Sequence, residues 1–187
     1  ISLILKLVLI FIIFNFLYRI KISDNAIIYV ISFFSTVLIC FLKDFNLITG
    51  LRYFRGGADG LLYFSLGKDI IENITKENYL LALRGGADVF YFMPGQRYFV
   101  ALSNILFGDT SYGYLFLTSL LPLTIYILLK KYLNVKYAQI LIFSFIFFPI
   151  FENLGFGYFN YIHQTTRNHS ETLSILLIVI SFIYLFN

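Results

Sequence analysis

The 187-residue chain is 59% hydrophobic and 13% charged, against roughly 45–50% and about 25% for an ordinary soluble domain. Its 23 Phe, 15 Tyr, absence of Trp and mean hydropathy of +0.83 argue against a soluble globular fold and for a chain bathed largely in lipid. The net charge of +4 does not point to nucleic acid, because the basic residues are spread over the segments between apolar runs, where membrane topology accounts for them.

Of the 24 formal charges, fourteen fall between Lys43 and Asp109, which leaves long uncharged runs on both sides. A bilayer core of about 30 Å takes about 20 helical residues. By that measure the sequence predicts an all-α, polytopic helical membrane protein of one transmembrane domain, with spans over residues 1–18, 25–42, 112–129, 137–151 and 172–187. The chain opens at Ile1 and stops inside an apolar run, so it reads as a fragment of a longer protein. Residues 1–18 lack the basic leader and small-residue cleavage site of a signal peptide, and read as a retained span.

Arg19, Lys21 and Asp24 form one short connection, and Lys130, Lys131 and Lys136 crowd another. Both belong in the cytoplasm by the positive-inside rule. Residues 43–111 and 152–171 then become outer, extracytoplasmic loops. Within the first, Leu62, Leu66, Ile70 and Ile74 share one helical face while Ser65, Lys68, Asp69, Glu72 and Lys76 take another, the pattern of an interfacial amphipathic helix. Residues 98–107 are apolar, but ten helical residues reach only about 15 Å, so they predict a juxtamembrane helix that leads into a crossing. Arg55-Gly-Gly-Ala-Asp59 recurs as Arg84-Gly-Gly-Ala-Asp88. Only five residues repeat clearly, which means two similar turns rather than a solenoid.

Asp59 stands just beyond a crossing, with Tyr63 four residues on and on the same helical face. A carboxylate held there between apolar surfaces suits a general base at the membrane surface. Gly-Ala-Asp-Gly-Leu-Leu is equally a helix-capping sequence. Arg52, Arg55, Arg84 and Arg97 are candidate phosphate ligands through the planar guanidinium fork, or partners of Asp59, Asp88 and lipid headgroups. Met93-Pro94-Gly95 predicts a type II turn. Arg167 and Glu171, four apart, stand at the outer start of the last span, where Asn168 with Glu171 also fits a capping box beside a local ion pair. His163 and His169 are six apart, not the i, i+4 spacing of a helical metal pair, and no metal is assigned to them. Cys40, the single cysteine, allows neither a disulfide framework nor a Cys-based metal site.

An acidic residue after a crossing, an amphipathic helix, a Pro-Gly turn, a juxtamembrane helix and Phe107-Gly108-Asp109 before the next crossing together resemble the GT-C glycosyltransferases over residues 25–187. Protein mannosyltransferases and lipid A aminoarabinose transferases are members. The resemblance implies a multi-pass enzyme of the cell (inner) membrane that moves a sugar from a polyprenyl-phosphate carrier to an extracytoplasmic glycan, lipid or protein. It makes Asp59 the catalytic acid/base or a metal-facing carboxylate, so a divalent metal is a cofactor it admits. Tyr63 matches the Tyr of the family's Asp-x-x-x-Tyr pattern, and Arg55, Arg84, Asp88, Arg97, Arg167 and Glu171 become substrate-binding candidates. Many members carry a second acid directly after the first, where this chain has Gly60. The competing class is a non-catalytic transporter or lipid flippase, which would also need apolar spans and outer arginines.

Overall fold

The structure, a computed structural model, describes residues 23–43, 58–86, 94–110, 112–148 and 157–185. The expected span over residues 1–18 lies outside these, as do Arg52, Arg55, Asp88 and Met93. The described residues are all-helical. Eight helices are described among them: α1 (Asp24–Lys43), α2 (Ala58–Thr75), α3 (Tyr79–Leu83), α4 (Pro94–Phe107), α5 (Tyr112–Leu129), α6 (Val135–Phe147), α7 (Tyr158–Thr166) and α8 (Ser170–Leu185).

Two of them, α1 and α5, are long and apolar enough to cross a membrane. At about 1.5 Å per residue their 20 and 18 residues reach about 30 and 27 Å. They lie side by side and antiparallel: Lys130 Nζ at the end of α5 donates to Asn25 Oδ1 at the start of α1 (3.0 Å), and the Phe33 and Phe116 rings stack with centroids 5.2 Å apart. Their interface is built from small hydroxyl residues, with Ser32, Ser35 and Thr36 of α1 and Thr118 and Ser119 of α5 all buried. Such residues let two backbones approach, and several return their hydroxyls to their own helix: Thr36 to Ser32 O, Thr118 to Tyr114 O and Ser119 to Phe116 O. Lys131 donates to Ile183 O of α8 as well, so the short basic connection after α5, the start of α1 and the end of α8 share one end of the bundle.

At the other end the amphipathic helix expected in the first loop is present as α2, but its apolar face meets protein. Leu66 and Ile70 are buried, and α2 crosses α4 at Gly67, where an added Cβ would come within 2.5 Å of Val100 Cγ1. Ile74, at the end of that face, is exposed, and α4 exposes an apolar face of its own, where Tyr98, Leu102, Ile105 and Leu106 follow helical spacing. The Lys68–Asp109 ion pair (2.8 Å), about half exposed, ties α2 to the α4–α5 connection.

The Pro-Gly turn is a correction. Pro94 and Gly95 are the first residues of α4, and Gly95 is not among the glycines with positive φ that a type II turn requires. Proline suits that first position because its missing N–H would have had no intrahelical partner there. A second correction concerns residues 152–171, read from sequence as loop. They contain α7, whose Tyr158, Tyr161, Ile162, Thr165 and Thr166 are buried at i, i+3, i+4, i+7 and i+8 against α1, α5, α6 and α8.

Candidate functional site

Three helix ends converge opposite the basic connection: the start of α2, the start of α4 and the turn between α7 and α8. Asn168, fully buried, joins them. Its Nδ2 donates to Gly60 O on α2 (3.0 Å), and its Oδ1 accepts from Gln96 Nε2 on α4. The local sequence dictates how Asn168 comes to point there. It ends α7 in a Schellman motif, in which His169 N donates to Gln164 O (3.2 Å) and Asn168 N to Thr165 O (3.0 Å), and this requires Asn168 at φ 62°. Asparagine tolerates that left-handed conformation better than most residues with a Cβ. Asn168 is therefore not the capping-box partner of Glu171, because its side chain is committed to α2 and α4.

Asp59 lies in the first turn of α2, next to Gly60, exposed rather than enclosed between apolar faces. A carboxylate there complements the unpaired N–H groups of the helix start. Tyr63, one turn on, is buried. Arg97 is buried and donates from Nη1 to Gly85 O (3.2 Å), so this guanidinium holds the turn after α3. That turn is the second Arg-Gly-Gly of the chain. Gly85 (φ +89°) and Gly86 (φ +91°) form another Schellman motif, with Gly86 N donating to Leu81 O and Gly85 N to Ala82 O. Gly86 also packs so tightly on α2 that an added Cβ would stand 2.9 Å from Asp69 Cβ. Arg84 at the end of α3 is exposed. Arg55 and Asp88 lie outside the described residues, so nothing is assigned to them.

Arg167 follows α7 as its capping residue and is half-buried. Among the described residues Arg167 and Glu171 do not form the expected ion pair. Glu171 Oε2 faces His169 Nδ1 at 3.7 Å. Among the described residues no group of three or more His, Cys, Asp or Glu gathers as a metal site would.

Beside this junction lies a pocket of about 460 Å³, enclosed by α5, α6, α7 and α8. One end is polar, with Asn160 and Gln164 of α7, His169, and Glu171 and Thr172 of α8. The other is apolar, with Leu121 and Ile125 of α5, Phe145 of α6, and Ile175 and Val179 of α8. Of the sequence-derived site residues that are described, only Glu171 lines it. The Tyr161 hydroxyl closes one wall by donating to Thr172 O (3.0 Å), and burial pushes its pKa well above the usual phenol range, so it remains a neutral donor. A carboxylate, an imidazole and two carboxamides over an apolar floor can bind hydroxyls on an amphiphile.

Sequence reasoning missed Gln96, Asn160, Gln164 and Asn168. The signal for α7 was present in the spacing of Tyr158, Tyr161, Ile162 and Thr165, and Asn160 and Gln164 follow from it as residues off the buried face. Nothing in the sequence pairs Asn168 with Gly60, 108 residues away. Comparison with models of protein families, with curated proteins and with solved structures matches nothing to this chain.

Proposed function

We propose that this protein is a multi-pass helical membrane glycosyltransferase of the GT-C kind, which transfers a sugar from a polyprenyl-phosphate carrier to an extracytoplasmic acceptor. The observation that carries the reading is the Asn168 junction. Of the features that carry the family resemblance, the acidic residue at the start of the amphipathic helix α2 and the juxtamembrane helix α4 are tied at their starts, through Gly60 and Gln96, to Asn168 in the further matched segment Arg167 to Glu171. A transferase of this kind needs an acid/base, anion ligands and an amphiphile site near one another, and the junction joins the start of α2, where Asp59 stands, to the turn that carries Arg167 and leads to Glu171.

Membrane crossing is supported by α1 and α5, both long and apolar enough to span. Beyond that pair, α6 exposes Ile140, Leu141 and Phe147, and α8 exposes Ile178, Phe182 and Tyr184, faces that lipid would cover. In the reaction, the acceptor oxygen bonds to the anomeric carbon while the bond from that carbon to the phosphate oxygen breaks. Phosphate leaves with the electron pair, and Asp59 takes the acceptor's proton. A flippase would also use an amphiphilic pocket, but α1 and α5 carry no charge between their ends, where transporters often place ionisable groups.

The test uses the full-length protein in lipid nanodiscs, supplied with polyprenyl-phosphate-linked radiolabelled sugars and an extract of envelope glycans, lipids and proteins. Transfer of label to an acceptor supports the reading. Movement of lipid between leaflets of proteoliposomes without any transfer overturns it in favour of a flippase. The topology is tested by Glu77→Cys, which is expected to react with an impermeant thiol reagent from outside the cell only.

A further inference from the structure

We infer that the pocket among α5, α6, α7 and α8 holds a hydroxyl-bearing amphiphile with a single hydrocarbon chain and no phosphate, the acceptor rather than the phosphate-bearing donor. This rests on the transferase reading for the word acceptor, but not for the chemistry of the pocket.

Among the described residues, those lining the pocket include a carboxylate, Glu171, and an imidazole, His169, but neither lysine nor arginine. A phosphate at that end would meet a negative charge, and none of the described lining residues supplies the guanidinium or ammonium on which phosphate recognition depends. The Glu171 side chain is 71% exposed and stands at the open, polar end beside His169 Nδ1. The Glu171 carboxylate and the Gln164 carboxamide oxygen accept from hydroxyls, and the Gln164 carboxamide nitrogen donates to them, so a sugar-like headgroup finds both kinds of partner.

Length and volume fit one chain. On α8 the lining residues Glu171, Thr172, Ile175 and Val179 form one stripe that runs from the polar end to the apolar one, about 12 Å at the helical rise. The volume of about 460 Å³ lies within the roughly 300–1,000 Å³ of small-molecule sites. The polar end adjoins Asn168, which is bonded to Gly60 next to Asp59, so a headgroup there lies on the side of the proposed acid/base. The donor phosphate then belongs outside this pocket, with the arginines of the loop region.

The experiment labels the full-length protein in nanodiscs with two probes that share one diazirine-bearing alkyl chain: an alkyl glucoside and an alkyl phosphate. The glucoside is expected to mark α5 and α8 peptides at least tenfold more strongly than the phosphate. Ile125→Trp and the more exposed Ile175→Trp each fill the apolar end and should reduce that labelling at least fivefold. Two substitutions on different helices guard against one of them misfolding. Glu171→Lys should reverse the preference toward the phosphate.

Equal or stronger labelling by the alkyl phosphate, or glucoside labelling unmoved by both tryptophans, overturns the inference. Labelling is read without turnover. A protein that takes the glucoside selectively but transfers no sugar therefore fails the proposed function alone, and one that transfers sugar but prefers the phosphate probe here fails this inference alone.

Discussion

The Tyr158 hydroxyl donates to the Thr118 carbonyl at 3.4 Å, and this carbonyl is the one that Pro122, four residues on in α5, cannot satisfy for want of an N–H. The same hydroxyl lies 2.5 Å from Thr36 Oγ1 on α1, so one phenol links three helices at the point where the backbone of α5 is incomplete. Burial pushes the hydroxyl far above the usual phenol range, partly offset by the Thr36 hydrogen bond, and it therefore stays protonated as the link requires.

Tyr158→Phe keeps the ring in its buried site and removes only the link. A buried acceptor left unpaired costs about 1–3 kcal/mol. The variant should unfold at lower temperature in detergent while its helix content by circular dichroism stays unchanged. If its unfolding temperature matches the parent, the hydroxyl is not what completes α5.

Asn168→Gly retains the left-handed backbone and discards the bonds to Gly60 and Gln96. The loss should destabilise by about 1–3 kcal/mol through the unpaired buried groups. Transfer activity should fall even though Asp59 and Glu171 are intact, because the start of α2 is no longer tied to the start of α8. Asn168→Ala adds backbone strain and should be worse. Equal effects of the two variants would mean that backbone strain contributes nothing, and an Asn168→Gly protein as stable and active as the parent would mean that the side-chain bonds contribute nothing.

Glu77 closes α2 in a third Schellman motif, at φ 62°, with Asn78 N donating to Asn73 O and Glu77 N to Ile74 O. A residue with a Cβ carries a penalty of roughly 1–2 kcal/mol in that region. Glu77→Gly should therefore raise stability, by less than the full penalty because glycine also gains freedom when unfolded. Chemical denaturation of parent and variant in the same detergent measures the difference, and a lower midpoint would contradict it.

Gly67→Ala places a methyl 2.5 Å from Val100 Cγ1 and 3.3 Å from the Ala101 backbone nitrogen. The backbone cannot turn away as a side chain can, and overpacking of this kind costs about 1–3 kcal/mol. The expected readout is faster proteolysis of the α2–α4 region in limited digestion, with α1 and α5 protected as before.

Asp59→Asn preserves size and removes the base. Since Asp59 is exposed, stability should stay near the parent value while turnover falls by about 10²–10⁴, the usual contribution of a general base. Asp88→Asn, in the sister Arg-Gly-Gly-Ala-Asp sequence, is the control and should lose less. Equal losses, or near-normal activity in the Asp59 variant, would remove Asp59 from the proposed site.

The sequence by itself determined the helical class and the positions of α1, α2 and α5, because uninterrupted apolar runs and 3.6-residue periodicity are local properties. Lys130, after α5, contacts Asn25 at the start of α1, while Arg19 and Lys21 of the other basic connection lie outside the described residues. The sequence misread Pro94-Gly95, whose residues are compatible with a turn or a helix start until the following backbone is known. It also took residues 152–171 for loop, because α7 is short and aromatic-polar rather than apolar. Only the tertiary structure decided that α2 buries its apolar face on α4, that Arg97 holds the Gly85 turn, and that Glu171 lines a pocket beside His169. The physical reason is range. Helix formation is read from neighbours three and four residues apart, whereas the Asn168 junction and the pocket walls join groups far apart in the chain, for which the sequence carries no periodic signal.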